Sequence, residues 1–225
     1  MRMGQQGVAR LKTRADALII VDVLSFSSCV SIAVARGATV FPYRFRDSSL
    51  QIFAKTKRAV VADRRGNAGF SLSPSSFVDV PAGTRVVLPS PNGSSLSLST
   101  GETKTFAGCL RNARTVAAAA QRCGPKIAVI PAGERWHDDD SLRPSFEDLI
   151  GAGAIINYLE GRRSPEAHLA AAAFLRFEDA LVDGLKTCSS GKELIERGFA
   201  NDVFLSAQRD VDHVAPVLRD GAYRQ

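Results

Sequence analysis

No two of the four cysteines lie close together: Cys29, Cys109, Cys123 and Cys188 give no Cys-x-x-Cys spacing. That excludes a dense disulfide framework and predicts reduced, mostly buried thiols in a cytoplasmic protein. His137, His168 and His213 have no metal-ligand spacing and no neighbouring Cys or His, which argues against zinc. No apolar run approaches the roughly 18 residues that a membrane helix needs. The longest, Ala17 to Leu24, is interrupted by Asp22, and Met1 to Gln6 is polar, without a signal-peptide core. Neither a Gly-x-Ser-x-Gly elbow nor a P-loop is present. Basic stripes with interleaved aromatics are also lacking. The net charge is +6 and the pI about 9.4, yet the arginines are scattered in pairs such as Arg44 and Arg46, Arg64 and Arg65, and Arg162 and Arg163. Small anions suit that distribution as well as nucleic acid does, and solvated surface explains any single pair.

What is there suits one packed α/β domain over residues 1–225. Apolar residues make up 45% of the chain, enough for a sizeable core. Predicted strands at 17–24, 38–42, 59–63, 85–89, 103–110 and 127–130 alternate with predicted helices at 29–36, 50–58, 112–122, 149–159 and 165–185. Asn112 is read as the cap of its alanine-rich helix, and Ser145 with Asp148, like Ser190 with Glu193, as a capping box. Residues 64–81, rich in Gly, Ser, Asn and Pro, form a long loop of the kind usually functional or loosely held. Residues 199–207 read as a short strand or 3₁₀ piece, and 215–223 as a terminal tail.

The densest chemistry lies between Ile127 and Tyr158. A buried strand ends at Pro131-Ala132-Gly133, a loop carries Glu134, Arg135 and the Asp138 to Asp140 run, and a helix starts near Ser145. Open α/β sheets place ligands at such strand ends. Glu147 and Asp148 suit the positive end of the helix dipole, and they equally suit Mg²⁺, which takes one or two carboxylates with phosphate oxygens and water. Asp22, at the end of an apolar strand, either holds a cation or caps the helix start at Ser25, Ser27 and Ser28. The Asp138 to Asp140 run reads as a solvated turn. Gly151-Ala152-Gly153 falls inside a helix and reads as close packing. The small residues of Ser90 to Ser95 leave backbone N–H groups able to hold an anion.

Taken in order, Asp22-Val23-Leu24, Ser90-Pro91-Asn92-Gly93-Ser94, Gly108 with Asn112, Ala132-Gly133-Glu134 followed by 145–151, and Ser190 to Leu194 before Asn201-Asp202 resemble the 2-phosphosulfolactate phosphatase family. The resemblance covers about residues 7–216. It implies a three-layer α/β/α fold with a mixed, largely parallel sheet, and a Mg²⁺-dependent phosphoric monoester hydrolase of coenzyme M biosynthesis. The positions carried over are Asp22, Asn92, Gly93, Ser94, Glu134, Glu147 and Asp148, with Asp202 at the far end. On that reading Asp22 and Asp148 hold the metal and Glu134 and Glu147 are catalytic. Ser25, Ser27, Ser28, Asn92, Gly93 and Ser94 bind phosphate or substrate, and Arg135 and Arg143 clamp the remaining anionic oxygens. The expected partners are a small anionic phosphorylated substrate and a second copy in a homodimer, with neither nucleic acid nor membrane. Some positions depart from the family. Where an arginine and threonines usually follow Asp-Val-Leu, this chain has Ser25 to Ser28, so an anion-binding cation is missing there. Pro131 replaces a cysteine, Ala62-Asp63 a Gly-Glu, and Ser90-Pro91 a pair of threonines. A non-catalytic anion- or metabolite-binding protein on the same fold is the alternative.

Overall fold

The computed structural model describes residues 3–136, 138–139 and 141–225; His137 and Asp140 lie outside them. Its strands are β1 (Ala17–Val21), β2 (Thr39–Tyr43), β3 (Val60–Val61), β4 (Arg85–Pro89), β5 (Lys104–Gly108), β6 (Ile127–Pro131), β7 (Glu134–Arg135), β8 (Leu142–Arg143), β9 (Val217–Arg219) and β10 (Ala222–Arg224). The helices are α1 (Gly4–Leu11), α2 (Phe26–Ala35), α3 (Ser48–Lys57), α4 (Gly93–Ser97), α5 (Ala113–Gln121), α6 (Phe146–Tyr158), α7 (Pro165–Phe177), α8 (Leu181–Thr187), α9 (Ser189–Glu196) and α10 (Ala200–Ala207).

Eight strands make one mixed, largely parallel sheet in the order β3-β4-β2-β10-β9-β5-β1-β6. β3, β4 and β2 form one parallel group and β5, β1 and β6 another. The antiparallel hairpin β9–β10 joins them, with β10 on β2 and β9 on β5. The expected tail at 215–223 is therefore the middle of the sheet. Its turn is Asp220-Gly221, with φ of 50° and 75°, the positive pair that a two-residue hairpin loop requires.

Helices cover both faces, giving three α/β/α layers. Along β1 the side chains alternate: Ala17, Ile19 and Val21 join the large core with α5 and α6, while Leu18 and Ile20 face Val8 of α1 and Leu96 of α4. Helix α6 lies unusually close to its neighbours. A Cβ on Gly151 would come 2.5 Å from a Val23 methyl, and one on Gly153 2.1 Å from the Ala170 carbonyl oxygen. The close-packing reading of these glycines holds.

Other local expectations need correcting. Residues 200–207 are helical, not a strand or 3₁₀ piece. The buried stripe of α10 is Asp202, Val203, Ser206 and Ala207, and its two polar members hid the helical period from a count of apolar residues. Helix α1, which begins within the polar stretch Met1 to Gln6 and runs on to Leu11, is held by Val8 in the core. Asn112 is the N-cap residue of α5 as expected but makes no side-chain capping bond to it; its Oδ1 accepts instead from the Cys109 N–H at 2.9 Å and closes the turn after β5.

Candidate active site

Asp22 and Asp148, buried at 6% and 3% exposure, fasten the strand-end loops to one another. Asp148 stands in the first turn of α6, but Ser145 makes no capping bond there, so the expected capping box is absent. Instead Asp148 Oδ1 accepts from the Val23 N–H after β1 at 2.8 Å, and Oδ2 from the Gly133 N–H after β6 at 2.9 Å. Asp22 does the same between other elements. Its Oδ1 accepts from the Phe26 N–H opening α2 at 3.1 Å, and its Oδ2 from the Gly93 N–H opening α4 at 2.9 Å.

Glu134 and Glu147 stand beside them. Glu134 Oε1 accepts from Asn92 Nδ2 at 2.8 Å and from the Arg135 N–H at 2.9 Å. Glu147 is buried, and its Oε2 accepts from the Cys188 thiol at 3.5 Å. Burial pushes Asp22 up to about 7, with the charges of Glu134 and Glu147 adding to it. Burial likewise raises Asp148 well above the usual carboxylate range, helped by Glu147 and Asp22. The charges of Glu134 and Glu147 thus bear on Asp22 and Asp148, whose ionised forms are unfavourable without a counter-charge. Cys188 is pushed up to about 12 by burial and Glu147, so its thiol keeps the proton that it donates.

The expected phosphate-binding residues gather around Asp22, though most of their polar groups are already engaged. Ser27 Oγ donates to the Ile20 carbonyl, Ser28 Oγ to Val23 and Ser94 Oγ to Leu88. Gly93 gives its N–H to Asp22 and Asn92 orients Glu134. Arg143 is held by Glu193 at 2.7 Å, with Ser190 Oγ at 3.3 Å. The Ser190 and Glu193 pair therefore grips Arg143 and is not a capping box; the N-cap of α9 is Cys188.

The cation missing beside Ser25 comes from elsewhere in the chain. Arg65, in the loop after β3, donates to Ser25 Oγ at 3.0 Å and to the Leu72 carbonyl, and is paired with buried Asp202. Asp202 also accepts from Ser73 Oγ at 2.7 Å and from the Ser75 N–H and hydroxyl, so it secures that loop against α10. A cleft of ≈ 390 Å³ opens here, lined among others by Leu24, Arg46, Arg64, Arg65, Glu134 and Arg197. Its volume falls within the roughly 300–1,000 Å³ of small-ligand sites. The sequence signals of this cationic wall were the unusual length of the 64–81 loop, its Arg64-Arg65 pair, and Arg46 of the pair before it.

Among the described residues no three His, Cys, Asp or Glu side chains are grouped so as to hold a metal by themselves. An all-protein cage is thereby excluded for those residues. The donor set suits a hard divalent cation held by one or two carboxylates, with phosphate oxygens and water completing its shell. The crowded negative charge around Asp22 and Asp148 is what such an ion would offset.

The sequence model of the 2-phosphosulpholactate phosphatase family matches residues 6–221. A probable 2-phosphosulfolactate phosphatase of Thermosynechococcus vestitus is 29% identical over 221 residues, covering 89% of this chain and 88% of the relative. Proteins with the same description from Symbiobacterium thermophilum and Thermotoga maritima are each 27% identical. They cover 90% and 91% of this chain, and 91% and 90% of their own lengths.

Proposed function

We propose that this chain, which belongs to the 2-phosphosulpholactate phosphatase family, hydrolyses a small phosphorylated hydroxy acid such as 2-phosphosulfolactate to the hydroxy acid and phosphate. The observation that carries the reading is the group of four carboxylates, Asp22, Glu134, Glu147 and Asp148, beside an arginine-lined cleft.

A phosphate monoester brings two negative charges that must be neutralised before water can attack in line. Mg²⁺, when bound, supplies that neutralisation and makes a coordinated water more acidic. Asp22 and Asp148 would hold it, since both are buried, anchored at their carboxylates and crowded by like charge. Glu134 lines the cleft and is oriented by Asn92, which suits a general base that takes the proton of the attacking water. Glu147 adds its charge to the group from the adjoining side, where the Cys188 thiol lies 3.5 Å from its carboxylate and 3.2 Å from the Leu185 carbonyl. Arg65 stands at Ser25 to draw the ester into the cleft.

The test is phosphate release from a panel of monoesters, with and without Mg²⁺ and EDTA, for the wild type and Asp22→Asn. Release that requires Mg²⁺ and is lost in Asp22→Asn is the expected result. Release from no ester, or release indifferent to EDTA and to Asp22→Asn, rejects the metal-phosphatase reading.

A further inference from the structure

The cleft that ends at Glu134 carries more positive charge than a phosphate alone requires. Four guanidinium groups line it, those of Arg46, Arg64, Arg65 and Arg197, against the carboxylates of Glu134 and Glu193. Glu193 is already paired with Arg143, and Arg65 with Asp202. Arg46 is fixed by the backbone, donating to the Ala62 carbonyl at 3.0 Å and to the Asp63 carbonyl at 2.7 Å. Arg64 and Arg197 are exposed, and among the described residues neither has a carboxylate within salt-bridge distance. Arg46 and Arg64 feel each other's charge and that of exposed Asp63, whose carboxylate oxygens are taken up by the Arg64 N–H and the Asn67 amide. Like charges that converge on one cleft repel each other, and an anionic ligand relieves that repulsion.

We propose that Arg64 and Arg197, with Arg46 behind them, bind a second anionic group of the substrate, a carboxylate or sulfonate, while the phosphate lies at the Asp22 and Glu134 end. These arginines then set specificity: esters with a charged tail are preferred over esters of the same size with a neutral one. Guanidinium suits the role because its planar fork meets two oxygens of a carboxylate or sulfonate at once. The assignment rests on the phosphatase reading for the phosphate end alone.

The experiment compares kcat/KM for phosphoglycolate, sulfoethyl phosphate and ethyl phosphate in the wild type and in the double variant Arg64→Gln/Arg197→Gln. It also measures calorimetric binding of sulfoacetate, which carries no phosphate, to both proteins. The preference for the charged-tail esters over ethyl phosphate should fall about tenfold or more in the double variant, with sulfoacetate binding weakened to match. A loss confined to one of the two charged esters supports the subsite and identifies its anion. A fall below about threefold for both overturns the proposal, since one lost charge-assisted contact is normally larger. If the wild type hydrolyses none of the esters, the phosphatase reading has failed and calorimetry decides the subsite alone. Sulfoacetate binding that the double variant loses then supports it, and binding that is absent or equal in both proteins overturns it.

Discussion

The Gly93 N–H donates to Asp22 Oδ2 at 2.9 Å, so the carboxylate after β1 takes its direction from the loop after β4. A side chain at Gly93 has nowhere to go. Its Cβ would lie 2.3 Å from Phe26 Cδ1 and 2.7 Å from the same aspartate oxygen.

Gly93→Ala should therefore lower stability by about 1–3 kcal/mol through overpacking. It should also abolish phosphate release by pushing Asp22 off its position. Urea unfolding and the phosphate assay on the same preparation check both. A variant as stable and as active as the wild type would show that α4 can move away.

Stability should depend on pH in a direction opposite to that of an ordinary surface carboxylate. Asp22 is held up at about 7 against an ordinary value of 3.8, and Asp148 is raised as well. The folded protein thus binds these protons more tightly than the unfolded chain. Their contribution is fully present below the unfolded value and is lost as pH rises through about 7. In EDTA, the melting temperature should fall between about pH 5 and about pH 8, and Asp22→Asn should flatten that fall. Added Mg²⁺ should raise the melting temperature more at the higher pH, where it meets ionised carboxylates. Calorimetry over that range reads all three effects.

Asp148→Asn keeps the shape of the side chain but replaces one acceptor oxygen with an amide. Either the Val23 or the Gly133 N–H then loses its partner, at a cost of about 1–3 kcal/mol. Removal of a crowded negative charge offsets part of that loss, so the fall in kcat should be larger than the fall in stability suggests. Urea midpoints set against kcat test this ordering.

Arg65→Met leaves Asp202 buried without its cation, which costs about 3–5 kcal/mol for a fully desolvated pair. The remaining bonds to Ser73 and Ser75 place the expected value at the lower end. The 64–73 loop should become sensitive to protease, and the Arg65→Met/Asp202→Leu double variant should recover part of the stability. Limited proteolysis and urea unfolding of both variants provide the measurements.

The regular parts of this fold were legible because periodicity reports burial. The strands at 17–21, 85–89 and 127–131 are apolar runs, and each was found within a few residues. The central hairpin was not, although Asp220-Gly221 between two short apolar stretches is a turn signal in its own right. Three-residue strands are too short for an alternation to register. At the site, the residue types could be picked out from sequence but not their partners. Asp148 looked like a cap for its own helix because that need is local, whereas its actual partners are 15 and 125 positions away. Arg65 was one of several scattered arginines until folding set it beside Ser25, 40 positions earlier.

The hairpin at 217–224 fills the gap between two groups of strands that all precede it in sequence. While the chain is being synthesised, the inner edges of β2 and β5 therefore stay unpaired until those residues leave the ribosome. Unpaired strand edges invite pairing with other chains. The nascent protein stays open to such pairing until the β9–β10 hairpin is made, and a chain halted before that hairpin would present two open edges.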